Sequence, residues 1–342
     1  MENACFACEE AVLIKENRKL NIAALAITAG LLGLIFYKIN WLQLVETFKD
    51  FNFKNMPYIV PLYISTLYIR GIRWKSLLLN DKKYSSLHLG EVFTVGSMLN
   101  IFLPARAGDV YRAYYLGSVK GERKMKVFGS VILERILDGI CVFFILLAAV
   151  LLYCRQQWIL NLSYGIGALF IGSLILFYAV YKNIDWICAK TEVSKTSWFS
   201  NILTAFFAQA KSFADGFEVT DNFKYFSISI VTSFLIWGIE CYVAYLIVDS
   251  FNLGLRLAAG LFVISLISFS TIIPSASVFL GPYQYAYILA LGIFGVDKSS
   301  ALAVSTVHQA ILMLILTVTG GYYFLKFNLH VKKISCNNAN YP

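Results

Sequence analysis

Charged residues are scarce in this sequence: Asp, Glu, Lys and Arg together make up 14% of its 342 residues. A soluble domain carries about 25% charged residues, so this chain has too few to cover a water-facing surface. Hydrophobic residues reach 58%, and the mean hydropathy is +0.67. This composition excludes intrinsic disorder and indicates a polytopic membrane protein. Its aromatic share of 16% is typical of interfacial Tyr and Trp.

The sequence motifs of several enzyme classes are also missing. There is no G-x-x-x-x-G-K-[ST] loop, which argues against ATP-driven transport by this chain, and no H-E-x-x-H or G-x-S-x-G motif. The seven cysteines offer a single close pair, Cys5 and Cys8, without a neighbouring His, so an ordinary tail explains them better than a metal site. We expect no catalytic residue, no metal and no cofactor, and a transporter rather than an enzyme.

The distribution of basic residues predicts the orientation of the chain. The net charge is +9, but Lys and Arg fall in short loops between apolar runs, so nucleic acid is not an expected partner. With the N-terminus in the cytosol, the outward-facing segments hold only six of the 29 basic residues. These outward segments are 38–56, 154–158, 249–256 and 295–299. The positive-inside rule then predicts a multi-pass protein of the inner (cytoplasmic) membrane, N-in and C-in.

Six apolar runs are long enough to cross a bilayer as helices, which takes about 20 residues each. These runs are 20–37, 57–79, 128–153, 159–181, 225–248 and 300–325. We predict one transmembrane domain over 20–326, between cytosolic tails at 1–19 and 327–342.

Two further apolar stretches, 89–116 and 257–294, are interrupted by proline and glycine, which end helices. The residues at these breaks are Pro104, Gly108, Pro274, Gly281 and Pro282. Both flanks of the first stretch are predicted to be cytosolic and both flanks of the second external. Each stretch is therefore expected to be a re-entrant hairpin. The alternative is that both cross as kinked helices, which gives eight spans.

The fold class that follows is all-α, with about six spans, two re-entrant hairpins and an inverted repeat. The repeat halves cover about 20–153 and 159–325. Interrupted segments at matching places in inverted halves mark the substrate site of secondary transporters. Segment 198–217 repeats Phe every three or four residues, which predicts an amphipathic helix at the cytosolic interface. Its alternative is a helix packed on the ends of the spans.

Charged residues near the first break are the candidate substrate site. Arg106, Asp109 and Arg112 are spaced i, i+3 and i+6, on one flank of a helix expected to begin just after Pro104. Glu134 and Asp138 are spaced i, i+4 on the next span. A charge near the bilayer centre costs about 2.5–3.5 kcal/mol or more, so these groups need partners or a wet cavity. They either contact an anionic substrate or form an ion-pair network that only holds the hairpin.

Other polar residues lie within the predicted spans. Arg70 and Arg73, late in the second span, either reach the middle of the membrane or extend to the interface. Glu240 has the matching place in the fifth span, where pairing with an arginine is favoured over accepting a proton. His308 is expected to be a hydrogen-bonded packing residue rather than a titrating group.

The sequence around these residues resembles the transmembrane flippase region of the lysylphosphatidylglycerol synthase/flippase family, including its short, stand-alone members. The matching pieces are Arg73-Trp74 to Leu78, Pro104-x-Arg106-x-Gly108-Asp109-x-x-Arg112, Glu134-Arg135-x-x-Asp138, Pro274–Gly281 and the small-residue-rich span Ala301–Gly321. Together they extend over about 20–325. The resemblance implies movement of an anionic or polar-headed lipid between leaflets.

The chain departs from the family pattern in three ways. Asp109 stands where the family usually has Glu, and His308-Gln309 stands where an arginine is expected in the last span. The soluble lysyltransferase domain of the long members is missing as well. Aminoacyl transfer to a lipid, and a lysyl-lipid as cargo, are therefore not implied.

Elementary electrostatics agrees with a lipid phosphate as ligand. Half-helices starting near Ala105 and Tyr283 would present free N–H groups and partial positive charge to it, and Arg106 and Arg112 would add two-donor contacts. Two other functions stay open: a membrane-embedded transferase or phosphatase acting on a lipid-linked phosphate, and a non-catalytic partner of a glycosyltransferase. The expected partners are a membrane lipid and, as an optional second partner, a lipid-modifying enzyme. The sequence leaves the oligomeric state open.

Overall fold

The computed structural model describes residues 39–79, 84–103, 106–153, 156–190, 207–271 and 280–339, with single positions between 30 and 37. Every regular element in these ranges is helical. The helices are α1 (Trp41–Lys49), α2 (Met56–Leu77), α3 (Ser86–Phe102), α4 (Ala107–Lys120), α5 (Lys124–Tyr153), α6 (Gln157–Lys190), α7 (Phe223–Asp249), α8 (Leu257–Ser270), α9 (Pro282–Gly292) and α10 (Lys298–Ala339).

Four of these helices are long and apolar enough to cross a membrane: α5, α6, α7 and α10. This confirms an all-α polytopic membrane protein. Helix α2 has 22 residues, about 33 Å at 1.5 Å per residue, but its basic residues make it less apolar. The first predicted span, 20–37, lies almost wholly outside the described residues. Helix α10 continues to Ala339, so most of the segment 327–342, expected to be a tail, is helical.

The two interrupted stretches form pairs of short helices, α3 with α4 and α8 with α9, and the members of each pair pack together. Their lengths are 17, 14, 14 and 11 residues. The start of each pair lies beside its end: the rings of His88 and Tyr115 are 6.1 Å apart and those of Phe262 and Phe294 are 5.7 Å apart, which supports hairpins rather than kinked full spans. A Cβ on Gly108 would lie 1.9 Å from the carbonyl oxygen of Gly96. The glycine at this predicted hinge therefore permits close packing of α4 on α3.

Helix packing repeats between the halves of the chain. Three helix contacts in one half each have a counterpart in the other half. The contact of α2 with α3 corresponds to that of α7 with α8, and the contact of α4 with α5 corresponds to that of α9 with α10. In the same way, the contact of α3 with α10 corresponds to that of α8 with α5. The equivalent helices α2 and α7 also pack on each other, and they do so antiparallel. Asn55, before α2, donates to the carbonyl of Leu246 near the end of α7 at 2.9 Å, whereas Arg73 reaches Ser233 in its first half. Antiparallel equivalents are the arrangement that an inverted repeat produces.

Two apolar cores lie on either side of the charged residues. One core joins α7, α8 and α9, with Phe262 and Tyr287 fully buried. The other joins α3, α4 and α5 with the connector, which we define as residues 207–221. Along α5, the buried apolar positions up to Leu137 belong to one core and those from Leu146 to the other, and the charged residues Glu134, Arg135 and Asp138 lie where the first core ends.

The connector contains the described part of the predicted amphipathic segment 198–217; residues 198–206 lie outside the described ranges. It is a short helix over 207–214 followed by a 3₁₀ helix, Asp215–Asp221. Phe217 is fully buried and stacks on Phe177 of α6 with ring centroids 5.2 Å apart. This part is therefore packed on the ends of α5 and α6, as the alternative proposed.

Candidate functional site

Five arginines and four carboxylates meet in the polar layer between the two cores. They come from α2, α4 with the residue before it, α5 and α7. The set is Arg70, Arg73, Arg106, Asp109, Arg112, Glu134, Arg135, Asp138 and Glu240. All of the charged residues expected to form the site are thus brought together, and Arg135 joins them.

Arg73 is at the centre of this network. Its guanidinium nitrogens lie 2.9 Å from a Glu134 oxygen and 2.5 Å from an Asp138 oxygen, and it donates to the Ser233 hydroxyl at 3.1 Å. The side chain has no exposed surface. The alternative that Arg73 extends to the membrane interface is therefore wrong, because its position on α2 faces α5 and α7.

Arg112 is also fully buried. Its guanidinium lies 2.6 Å from the second oxygen of Glu134 and is stacked 4.1 Å from the Trp74 ring and 4.7 Å from the Phe93 ring. A guanidinium between two rings and a carboxylate has no surface left for a ligand. The geometry of Arg112 is that of the ion-pair alternative.

Arg135 is the functional candidate that sequence reasoning missed. It donates to both oxygens of Asp109 at 2.9 and 3.2 Å and lies 3.5 Å from Asp138. About a quarter of its side chain is exposed, at 27%. The signal in the sequence that could have identified Arg135 is its place in the Glu134-Arg135-x-x-Asp138 motif, directly after one candidate acid and three residues before another.

Arg70 and Glu240 form a separate ion pair across α2 and α7, with a nitrogen–oxygen distance of 3.1 Å. This is the pairing favoured for Glu240. The Arg70 guanidinium lies 5.3 Å from the Phe93 ring and 5.7 Å from the Trp237 ring, within cation–π range. Trp237 in turn donates to Asp138 at 2.8 Å, so it links the pair to the central network.

Arg106 differs from the expected geometry. Helix α4 begins at Ala107, and Arg106 precedes it in a left-handed conformation with φ +55°. It therefore does not share a helix flank with Asp109 and Arg112. Its side chain donates to the hydroxyl and the carbonyl of Thr271, at the end of α8, at 2.7 and 3.1 Å. The first break thus contacts the second hairpin, and a strained residue lies at the point of contact.

A cavity of about 270 Å³ lies where the two breaks approach each other. Its wall contains three of the five arginines, together with neutral polar and apolar residues. The lining residues are Tyr63, Leu67, Arg70, Phe93, Ser97, Asn100, Ile101, Arg106, Arg135, Thr271, Tyr283, Gln309, Leu312, Met313 and Leu316. A larger cavity of about 470 Å³ between α2 and α7 is lined by uncharged residues such as Tyr58 and Tyr242. Charge therefore distinguishes the smaller cavity as the candidate site.

The second break is capped by neutral groups. Gly281, with φ +91°, precedes α9, and its N–H donates to the Gln284 side chain at 2.8 Å. Gln284 donates to Gln309 of α10 at 2.6 Å. One turn away, the Tyr287 hydroxyl is 2.5 Å from a ring nitrogen of His308, which is the packing role expected for this histidine. Pro282 is the first residue of α9, and Pro274 lies outside the described residues.

These features define a class: an all-α membrane protein with an arginine-lined cavity between two broken-helix hairpins. The family model described as the lysylphosphatidylglycerol synthase TM region matches residues 21–320. The chain belongs to this family.

Two relatives carry a less specific description. A UPF0104 membrane protein of Methanocaldococcus jannaschii is 26% identical over 227 residues, which are 66% of this chain and 92% of the relative. A UPF0104 membrane protein of Methanothermobacter thermautotrophicus is 25% identical over 257 residues, 68% of this chain and 73% of the relative. No solved structure matches the chain.

Proposed function

We propose that this protein moves an anionic or polar-headed lipid, or a lipid-linked precursor, between the leaflets of a membrane. The observation that carries the proposal is Arg106 in the wall of the cavity. Among the described residues, no carboxylate oxygen lies within 4.0 Å of its guanidinium, whose partner is Thr271. Five guanidinium groups face four carboxylates in the polar layer, so an anionic ligand would balance the remaining positive charge.

The geometry also supports a division of roles between the arginines. Arg73 and Arg112 are fully buried and hold the helices together, so they are poor candidates for ligand contact. Arg70, Arg106 and Arg135 reach the cavity wall, where a planar guanidinium can donate two hydrogen bonds to a phosphate. The head group would bind between the breaks while the acyl chains stay in the bilayer.

The membrane, the orientation and the partners are further parts of the proposal. We propose an inner (cytoplasmic) membrane location, with the N-terminus and the C-terminus in the cytosol. The ligand is a membrane lipid, and a lipid-modifying enzyme is an optional partner. Movement of the lipid without covalent change is what separates this proposal from an enzyme acting on a lipid-linked phosphate.

Leaflet exchange in liposomes tests the function. We expect the purified protein to move fluorescently tagged phosphatidylglycerol, so that dithionite, added outside, bleaches the tag from both leaflets instead of one. The recovered lipid should be chemically unchanged. A modified lipid would instead indicate the transferase or phosphatase. A protein that is inert until a glycosyltransferase is added would indicate the non-catalytic partner.

Single-cysteine labelling tests the orientation. In a cysteine-free background, we expect an impermeant maleimide added to whole cells to label Lys298→Cys but not Arg123→Cys. The reason is that six of 29 basic residues lie in the segments assigned to the outside. A permeant maleimide, as a control, should label both positions. Labelling of both by the impermeant reagent would contradict the two oppositely inserted hairpins.

A further inference from the structure

We infer that lipid movement by this protein is coupled to protons: Glu240 takes up one proton when the lipid phosphate binds Arg70, and the lipid and the proton cross together. This inference rests on the proposed function and adds a second substrate and an energy source to it. The pairing of Glu240 with Arg70 and the protonation of Glu240 then belong to two states of one transport cycle.

Glu240 has the fewest partners among the carboxylates of the polar layer. A single nitrogen–oxygen contact of 3.1 Å to Arg70 engages one of its oxygens, and its second oxygen accepts no hydrogen bond from the described residues. Each of the other three carboxylates is held by at least two side chains. Their partners are Arg135 and Asn100 for Asp109, Arg73 and Arg112 for Glu134, and Arg73, Arg135 and Trp237 for Asp138. Glu240 is therefore the carboxylate that a ligand can release most easily.

Arg70 is the partner that Glu240 and a lipid phosphate would share. Its side chain lines the cavity, whereas Glu240 lies outside the lining. The other contacts of its guanidinium are with the Phe93 and Trp237 rings, at 5.3 and 5.7 Å. These rings support the charge without fixing the direction of its hydrogen bonds, so Arg70 can turn its two-donor edge to a phosphate. A phosphate bound there competes with Glu240 for the same guanidinium.

Without Arg70, Glu240 has no counter-charge. The other charged side chain that acts on it is Asp138 of α5, which has the same sign. Its remaining ionisable neighbours are neutral near pH 7: Tyr63 of α2, Tyr283 of α9 and Cys241 of α7 itself. Helix α8 carries no ionisable side chain, and His308 of α10 bonds to Tyr287. Because a buried carboxylate without a counter-ion is unstable as a charge, Glu240 would take up a proton.

Two tyrosines connect the cavity with Glu240. Tyr63 and Tyr283 both line the cavity, and both interact electrostatically with Glu240. Tyr283 is more than nine-tenths buried, yet its hydroxyl makes no hydrogen bond. The cavity volume of about 270 Å³ has room for several waters at ~30 Å³ each. Water and a tyrosine hydroxyl can therefore pass a proton from the cavity to Glu240.

The coupling determines the charge that crosses the membrane. A phospholipid phosphate carries one negative charge, and the proton on Glu240 cancels it, so each cycle is electrically neutral. A pH gradient, and not the membrane potential, would then drive the lipid. An uncoupled carrier of the same lipid would behave in the opposite way, since one charge moved through 100 mV changes the leaflet ratio about 50-fold at equilibrium.

The experiment measures which gradient concentrates tagged phosphatidylglycerol in one leaflet of liposomes that contain the protein. Back-extraction by albumin gives the share of the lipid in the outer leaflet, and protein-free liposomes give the background. With the potential clamped by valinomycin and equal potassium, we expect the wild type to collect the lipid in the leaflet that faces the alkaline side. One pH unit sets a limit of about tenfold for this ratio. A potassium-diffusion potential at equal pH should have no effect.

Glu240→Gln tests the assignment of the proton. Glutamine has the size of the acid and can still accept a bond from Arg70, but it cannot carry a proton. We expect the pH gradient to lose its effect on this variant and the potential to redistribute the lipid instead. Glu46→Gln, at an exposed position of α1, is the matched control and should behave as the wild type.

The outcomes separate the coupling from the function. A wild type that follows the potential and ignores the pH gradient would overturn the coupling while leaving lipid movement intact. A Glu240→Gln variant that still follows the pH gradient would overturn the role of Glu240. Failure of the wild type to move the lipid under any gradient would instead contradict the proposed function.

Infrared difference spectroscopy decides the assignment if Glu240→Gln does not fold. Adding phosphatidylglycerol to the wild type should produce the band of a protonated carboxyl group. Glu240→Asp keeps a carboxylate for Arg70 and should shift the frequency of this band. An unshifted band, or no band in the wild type, would show that Glu240 does not take up the proton.

Discussion

Arg73→Ala is expected to lower the free energy of unfolding by about 3–5 kcal/mol, the usual cost of removing one partner from a buried ion pair. Arg73 holds Glu134 and Asp138 together at 2.9 and 2.5 Å with no solvent contact. Without it, two carboxylates remain in the centre of the helix bundle with fewer counter-charges. Thermal unfolding of the detergent-solubilised protein, followed by size-exclusion chromatography, measures this loss.

A double variant tests whether the loss comes from the charge imbalance. Arg73→Met with Asp138→Asn removes one charge of each sign and keeps much of the volume, so it should recover a large part of the stability. Lys54→Ala is the control, because Lys54 pairs with Asp249 at 3.3 Å on an exposed surface and such pairs contribute about 0–1 kcal/mol. Equal losses for Arg73→Ala and Lys54→Ala would show that the central network does not hold the fold.

Arg106→Ala is expected to slow lipid movement strongly, by at least about tenfold, while leaving the protein folded. The Arg106 side chain lines the cavity, and its hydrogen bonds to the described residues all go to Thr271. A hydrogen bond to a charged group contributes about 1.5–3 kcal/mol, so losing the contact to a phosphate should slow exchange at least tenfold. Arg106→Lys should be partly active, because Lys keeps the charge without the two-donor plane.

A second variant tests this prediction if Arg106→Ala does not fold, and another variant provides a control. Arg106 has a φ of +55°, which glycine adopts without strain, so Arg106→Gly removes the side chain even if alanine impairs folding. Arg256→Ala, at an exposed position before α8, is the matched control and should leave exchange unchanged. Full activity of a folded Arg106→Gly variant would mean that this arginine does not contact the lipid.

The ion-pair alternative makes a different prediction for Arg106. If Arg106 paired with Asp109, three residues further on, removing both side chains would restore stability. Instead Asp109 bonds to Arg135 and Asn100, and Arg106 bonds to Thr271. Asp109→Asn should therefore not rescue Arg106→Ala.

Much of the fold could be predicted from the sequence, because a lipid bilayer restricts which segments of a chain can cross it. Helices must satisfy their own backbone hydrogen bonds in lipid, so apolar runs of about 20 residues mark spans. Proline and glycine marked the second break for the same reason: Gly281, with its positive φ, and Pro282 stand directly before and at the start of α9, whereas Pro104 of the first break lies outside the described residues. The cost of burying charge also identified the polar layer, since Glu134 and Asp138 could not lie in a span without partners.

The sequence by itself determined the class of fold, the positions of the breaks and eight of the nine residues of the polar layer, all except Arg135. Only the tertiary structure decided which arginine pairs with which carboxylate, since these contacts join α2, α4, α5 and α7 across as many as 170 residues of sequence. It assigned Arg73 and Arg112 to the buried network and Arg106 and Arg135 to the cavity wall. Spacing along one helix cannot make that distinction, because the burial of a side chain depends on the neighbouring helix that packs against it.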